Sequence, residues 1–116
     1  MDSALEIVDL TPGAGDSARS GDTVLVNYTG WLYEGGKRGT QFDSSLNPGR
    51  TPFEMTIGKT SVIKGWTQGL VGMMPGGKRQ LIIPPDLAYG PGGRPPVIPR
   101  NATLEFEVEL LKITKG

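Results

Sequence analysis

The chain has no cysteine and no histidine among its 116 residues. The first absence removes disulfides, thiol nucleophiles and thiolate metal sites; the second removes the usual general base and the commonest metal ligand. No apolar run approaches the roughly 20 residues of a membrane-spanning helix. The opening Met1-Asp2-Ser3-Ala4-Leu5-Glu6 lacks the basic and apolar regions of a signal peptide. If Met1 is the native start, a cytoplasmic location is expected; a removed leader or excision from a longer protein stays open. Net charge is missing too: 12 Lys and Arg balance 12 Asp and Glu. Nothing global therefore draws the protein to nucleic acid or to an anionic membrane.

Turn formers are abundant, with 18 Gly and 10 Pro. They are spread along the chain without a period, which argues for many turns and against low complexity. The length suits one domain, residues 1–116, with one core.

Leu5 to Leu10 alternates loosely and stops at Thr11-Pro12-Gly13, a strand and a turn. Thr23 to Tyr33 is β-branched, aromatic and alternating, the clearest strand signal in the chain. The Gly-rich stretch Glu34 to Gly39 predicts a hairpin loop, with Thr40 to Ser44 returning antiparallel. Asn47-Pro48-Gly49-Arg50 interrupts that return, and Pro52 to Gly58 alternates again. From Val62 to Val71 the period changes, because Ile63, Trp66 and Leu70 are spaced for one helical face. Gly65 and Gly69 weaken that helix, so it must rely on tertiary packing. Lys78 to Pro84 reads as a strand. Pro84 to Arg100 holds six prolines and forms a long irregular loop of the kind that carries function. Thr103 to Ile113 alternates with period two, so Leu104, Phe106, Val108 and Leu110 face inward. The sum is an α+β fold: a highly twisted antiparallel sheet of about five or six strands, covered by one short amphipathic helix.

Several motifs fail on inspection. Gly72 to Lys78 follows the phosphate-binding loop pattern, but Arg79 stands where Ser or Thr must hold the metal, and the stretch follows a helix instead of a strand. Gly13-Ala14-Gly15-Asp16-Ser17-Ala18 matches a loose dinucleotide fingerprint without the βαβ unit it requires. The sequons Asn27-Tyr28-Thr29 and Asn101-Ala102-Thr103 matter only in a eukaryotic secretory setting. The pairs Lys37-Arg38 and Lys78-Arg79 lack interleaved aromatics and read as solvated surface. No clustered acids suggest a metal site, and no cofactor is called for.

What remains is a set of rings with one carboxylate among them: Tyr28, Phe42-Asp43, Phe53, Trp66, Tyr89 and Phe106. Singly, each ring reads as core, and Asp43 reads as a turn or cap. In order, however, Val26-Asn27-Tyr28-Thr29-Gly30, Phe42-Asp43-Ser44-Ser45, Val62-Ile63-Lys64-Gly65-Trp66, Ala88-Tyr89-Gly90, Ile98-Pro99 and Asn101-Ala102-Thr103-Leu104 closely resemble the FKBP-type peptidyl-prolyl cis-trans isomerases. The likeness runs from about residue 5 to 113. It implies a half-barrel sheet wrapped around a short helix, with an apolar cleft for prolyl peptides and macrolides such as rapamycin.

The resemblance further implies that the ligand site comprises Tyr28, Phe42, Asp43, Phe53, Val62, Ile63, Trp66, Tyr89, Val97, Ile98 and Phe106. Of these, Asp43, Trp66, Tyr89 and Phe106 would carry catalysis. Trp66 would floor the pocket, Phe42, Phe53 and Phe106 would wall it, and the Ile63 N–H and Tyr89 hydroxyl would bond ligand carbonyls. Asp43 would orient and polarise the amide. Small length differences between Gly30 and Phe53 leave open whether Arg50 matches the family's pocket-edge arginine. Arg94 and Val97 stand where small members often carry histidine and isoleucine.

The absences fit this chemistry. Rotation about an X-Pro amide breaks resonance and no bond to carbon, over a barrier of about 18–20 kcal/mol, so neither nucleophile nor metal is needed. The expectation is thus a folding catalyst acting on X-Pro bonds, a monomer whose partners are proline-containing polypeptides and macrolide inhibitors. The alternative is a weakly catalytic binding module on the same fold. A chaperone that holds unfolded chains would need an apolar insert, whereas these loops are polar and rich in Gly and Pro.

Overall fold

In the computed structural model, which describes residues 5–116, the alternating segments become six strands: β1 (Glu6–Thr11), β2 (Thr23–Glu34), β3 (Lys37–Ser44), β4 (Phe53–Thr56), β5 (Lys78–Ile83) and β6 (Thr103–Thr114). One α-helix, α1 (Lys64–Gly69), lies between β4 and β5, and the proline-rich loop contains 3-10 turns at Pro85–Leu87 and Gly90–Gly92. Every strand pair is antiparallel, in the order β1-β5-β6-β2-β3, with β4 also paired to β2. The sheet does not close, as the half-barrel expectation requires.

Strand β2 organises the rest. One edge pairs with β6 from Thr23↔Thr114 to Tyr33↔Thr103. The other edge is shared: β4 takes its first half, with Val26 opposite Phe53, and β3 its second, with Thr29 opposite Ser44. The interruption at Asn47 to Arg50 is the chain looping out between these two partners. The β2–β3 turn is tighter than the sequence suggests, because Gly35 and Gly36 both adopt positive φ (60° and 76°). That conformation supports a two-residue hairpin turn, so β3 starts at Lys37 and not at Thr40.

Leu104, Phe106, Val108 and Leu110 are buried as the alternation predicts. At Leu111 a bulge leaves one residue unpaired between Leu110 (opposite Val26) and Lys112 (opposite Leu25). Parity then reverses, so Leu111 is exposed while Ile113 packs on the core.

Helix α1 is shorter than the Val62–Val71 expectation, since Ile63 is extended (ψ 146°) and Leu70 caps the far end. Its two glycines are its contact face. A Cβ on Gly65 would lie 2.5 Å from Ile83 Cγ2, and one on Gly69 would lie 2.7 Å from Leu81 Cδ1. The missing side chains let the helix sit close on β5, with Trp66 and Leu70 buried.

Two arginines expected at solvated surface are tied into the fold instead. Arg38 on β3 donates through Nε to Glu105 Oε2 at 3.0 Å and also bonds Glu107, both on β6, while its guanidinium lies 3.6 Å over the Trp31 ring on β2. Gln80 of β5 donates to the same Glu105 oxygen at 3.0 Å. This polar row crosses four strands and explains how Glu105 is 2% exposed without an unpaired charge. Burial alone would raise the Glu105 carboxyl, but Arg38 and Gln80 hold it below the ordinary range. Arg79 bonds Asp9 of β1 at 2.6 Å and the Gly69 and Val71 carbonyls at 2.9 and 2.7 Å, joining the sheet edge to the end of α1.

Candidate functional site

The site lies where α1 meets the concave face of the sheet. Trp66, the one large ring that α1 contributes, is 5% exposed. Its ring centroid stands 5.0 Å from Tyr28, 5.3 Å from Phe106 and 5.8 Å from Phe53, with interplanar angles of 79°, 87° and 74°. Phe42 meets Phe106 at 5.6 Å and 90°. Edge-to-face contacts of this kind contribute about 0.5–1.5 kcal/mol each beyond area burial. They lock the rings against one another and leave a cavity of about 170 Å³ lined by Tyr28, Phe42, Asp43, Phe53, Ser61, Val62, Ile63, Trp66, Tyr89 and Phe106. Six of the chain's eight rings converge here.

Gly30 permits the convergence. It faces Phe106 in the β2–β6 register and Asp43 in the β2–β3 register. A Cβ there would come within 2.7 Å of Phe106 Cε1 and 2.8 Å of Phe42 Cζ.

Asp43 sits in a hydrogen-bonded corner. Its Oδ2 accepts from the Tyr28 hydroxyl at 2.7 Å, and its Oδ1 accepts from the Ser44 N–H at 2.9 Å and from Arg50 Nη1 at 2.8 Å. Arg50 Nη2 also donates to the Tyr28 hydroxyl at 3.0 Å, closing a three-residue network. Burial would raise the Asp43 carboxyl, yet Tyr28, Arg50 and the Ser44 amide outweigh it and hold the group below the ordinary carboxylate range. Tyr28 is pushed up, first by burial and then by the neighbouring carboxylate, so it remains a donor at neutral pH.

Other donors are idle. Among the described residues the Ile63 N–H and the Tyr89 hydroxyl have no partner, and the Trp66 Nε1 is buried without one. A buried unsatisfied donor costs about 1–3 kcal/mol, so the floor of the cavity holds unspent hydrogen-bonding capacity. No group of three or more acidic residues among those described could hold a metal ion.

Nine of the residues marked in the sequence line this one cavity. The other two, Val97 and Ile98, lie in an adjoining groove of about 350 Å³ that shares Phe42, Asp43 and Tyr89 and adds Arg94 and Pro95. Ile98 is buried there and Val97 exposed. One cavity residue was not marked in the sequence, and one neighbour was left open there. Ser61 lines the cavity, a position that adjacency to Val62-Ile63 could have flagged. Arg50 was left open, and the structure places it on Asp43.

The family profile described as FKBP-type peptidyl-prolyl cis-trans isomerase matches residues 15–111. The chain belongs to that family. Among its FKBP relatives is the "FK506-binding protein" of Neisseria meningitidis serogroup A, 51% identical over 110 residues, covering 95% of this chain and 96% of that one. Human "Peptidyl-prolyl cis-trans isomerase FKBP2" is 54% identical over 98 residues, 84% of this chain and 66% of the relative. Among solved structures, Escherichia coli FkpA superposes with a TM-score of 0.81 at 42% identity; the match covers 96% of this chain and 48% of FkpA. The resemblance read from the ordered motifs is therefore borne out, as is the FKBP fold with its open six-strand sheet and single short helix.

Proposed function

We propose that the aromatic cavity binds the proline of an X-Pro segment over Trp66 and accelerates rotation of the preceding amide without covalent chemistry. The observation that carries this reading is the arrangement of the floor. Four interlocked rings surround the cavity, with unpartnered donors at its wall and one ionised carboxylate, Asp43, at its edge. Twisting the amide removes the dipole of its resonance form, and an aromatic floor that displaces water from the bound proline disfavours that dipole. Hydrogen bonds from Ile63 N–H and Tyr89 Oη that strengthen only in the twisted geometry add selectively to transition-state binding. Asp43 orients and polarises the rotating amide, and Phe106 packs against the ring floor.

The required effect is small. Uncatalysed isomerisation takes about 10–100 s, so turnover near 100 s⁻¹ needs roughly 4–5.5 kcal/mol at 1.36 kcal/mol per tenfold. A few such contacts suffice. The same cavity, with its groove beside Val97 and Ile98, suits macrolides such as rapamycin and FK506. Relatives named for FK506 binding support this reading.

The test is an isomerisation assay on short X-Pro peptides, with rapamycin as inhibitor. Acceleration blocked by stoichiometric rapamycin is expected. Activity below about a hundredth of an ordinary family member would replace the reading with a non-catalytic binding module.

A further inference from the structure

Beside the aromatic cavity lies a second recess of about 390 Å³, lined by Ser61, Val62, Ile63, Lys64, Asp86, Ala88, Tyr89 and Arg94. Its polar side chains are the Ser61 and Tyr89 hydroxyls, two cations, Lys64 and Arg94, and one carboxylate, Asp86, so the charged lining carries a net positive charge of one. The Ser61 hydroxyl, the Lys64 ammonium and the Arg94 guanidinium form no side-chain hydrogen bond or ion pair among the described residues. Asp86 lines the same recess, and among the described residues no cation lies within ion-pair distance of it. The third cation near the cavity, Arg50, is already engaged by Asp43 and Tyr28. Among the described residues, Lys64 and Arg94 are thus the cations at this mouth with no anion within ion-pair distance.

Their placement is defined. Lys64 opens α1, two residues before the Trp66 floor. Arg94 stands 5.7 Å from the centroid of the Tyr89 ring, and its backbone is held by reciprocal hydrogen bonds with Ile98 at 2.7 and 2.9 Å. Arg94 also lines the groove on the other side of Tyr89. A peptide leaving the cavity past Tyr89 therefore meets this guanidinium by either route.

We infer that the recess selects substrates carrying an anionic side chain, carboxylate or phosphoryl, on a residue adjacent to the isomerising proline. The inference rests on the proposed isomerase reading and assigns Ser61, Lys64 and Arg94 as its specificity residues. Exposed charge pairs are individually modest and screened by salt, so the expected preference is about three- to tenfold.

The experiment measures kcat/KM on matched peptides with Glu, phosphoserine, Gln or Lys placed immediately before, and in a second set immediately after, the proline. Glu or phosphoserine peptides should exceed Lys peptides about three- to tenfold in one set, and the ratio should shrink as salt rises. Arg94→Glu and Lys64→Glu should each reduce or invert the ratio. Because the readout is a ratio between peptides, a general loss of activity cancels. A larger gain on phosphoserine than on Glu assigns the recess to phosphopeptides; the reverse assigns it to acidic segments. Ratios within twofold in both sets, or a preference untouched by salt and by both substitutions, would overturn the inference while leaving isomerase activity on the Gln peptides intact. No acceleration of any peptide would instead overturn the isomerase reading.

Discussion

The Tyr28 hydroxyl donates to Asp43 Oδ2 at 2.7 Å, joining β2 to β3 at the edge of the aromatic cavity. The contact positions the carboxylate and adds to burial in raising the Tyr28 pKa. Replacing Asp43 by Ala removes the acceptor of three hydrogen bonds from a partly exposed corner, away from the buried core. We expect kcat/KM to fall about tenfold, equivalent to roughly 1.4 kcal/mol, with little change in melting temperature. Unchanged kcat/KM would remove Asp43 from the mechanism.

Arg50 should matter through pH. The Asp43 carboxyl is depressed in the folded protein, so its charge, and the stability it contributes, persist above the ordinary carboxylate pKa and are lost as pH falls through the depressed value. Arg50→Ala removes part of what opposes burial, so the Asp43 pKa should rise toward or beyond its ordinary value. The acidic limb of the kcat/KM profile should move to higher pH. A limb that stays in place would show that Asp43 ionisation does not govern activity.

Asp22 supplies a second acid-sensitive latch, far from the site. Its carboxylate accepts from Lys115 Nζ at 2.8 Å and from the Gly116 and Arg19 amides at 3.0 Å, which lower its pKa to about 2. The unfolded value is near 3.8, so this contribution is complete above that pH and disappears between about 4 and 2. Urea midpoints of Asp22→Asn should be lower than wild type at neutral pH and converge on it as pH falls to about 2. A constant difference across that window would exclude the latch.

Gly65→Ala sets two known effects against each other. Alanine favours a helix by about 1 kcal/mol over glycine, but its Cβ would meet Ile83 at 2.5 to 2.9 Å, and overpacking typically costs about 1–3 kcal/mol. Because the obstacle is a buried β5 side chain, the steric term should win. The variant should be destabilised by about 1–2 kcal/mol in denaturant titration, and Ile83→Ala should lose part of its own cost in the double mutant. A stabilised Gly65→Ala would show that α1 can lift off the sheet freely.

Period-two alternation made β2 and β6 legible because both strands bury one face and leave the other polar. The aromatic site was legible for a different reason: its motifs keep their order along the chain, even though no ring taken alone separates pocket from core. The hidden features depend on partners distant in sequence. Nothing local to Arg38 announces Trp31, Glu105 and Gln80 across three neighbouring strands. Nothing local to Arg79 announces the carbonyls at the end of α1. Gly65 and Gly69 looked like weak points of a helix; only the approach of Ile83 and Leu81 turns them into its contact surface.

The long β2–β6 pair has one more consequence. It joins the second strand to the last, and no contiguous stretch owns the cavity: Tyr28 comes from β2, Phe42 from β3, Phe53 from β4, Trp66 from α1, Tyr89 from the proline-rich loop and Phe106 from β6. Such long-range pairing folds slowly compared with helical bundles, and before β6 docks there is neither a back wall nor a seat at Gly30. Catalysis therefore works as an all-or-none readout of assembly. Two fragments divided within the Pro84–Arg100 loop should each be silent, and activity should return only on mixing, at a rate set by their encounter.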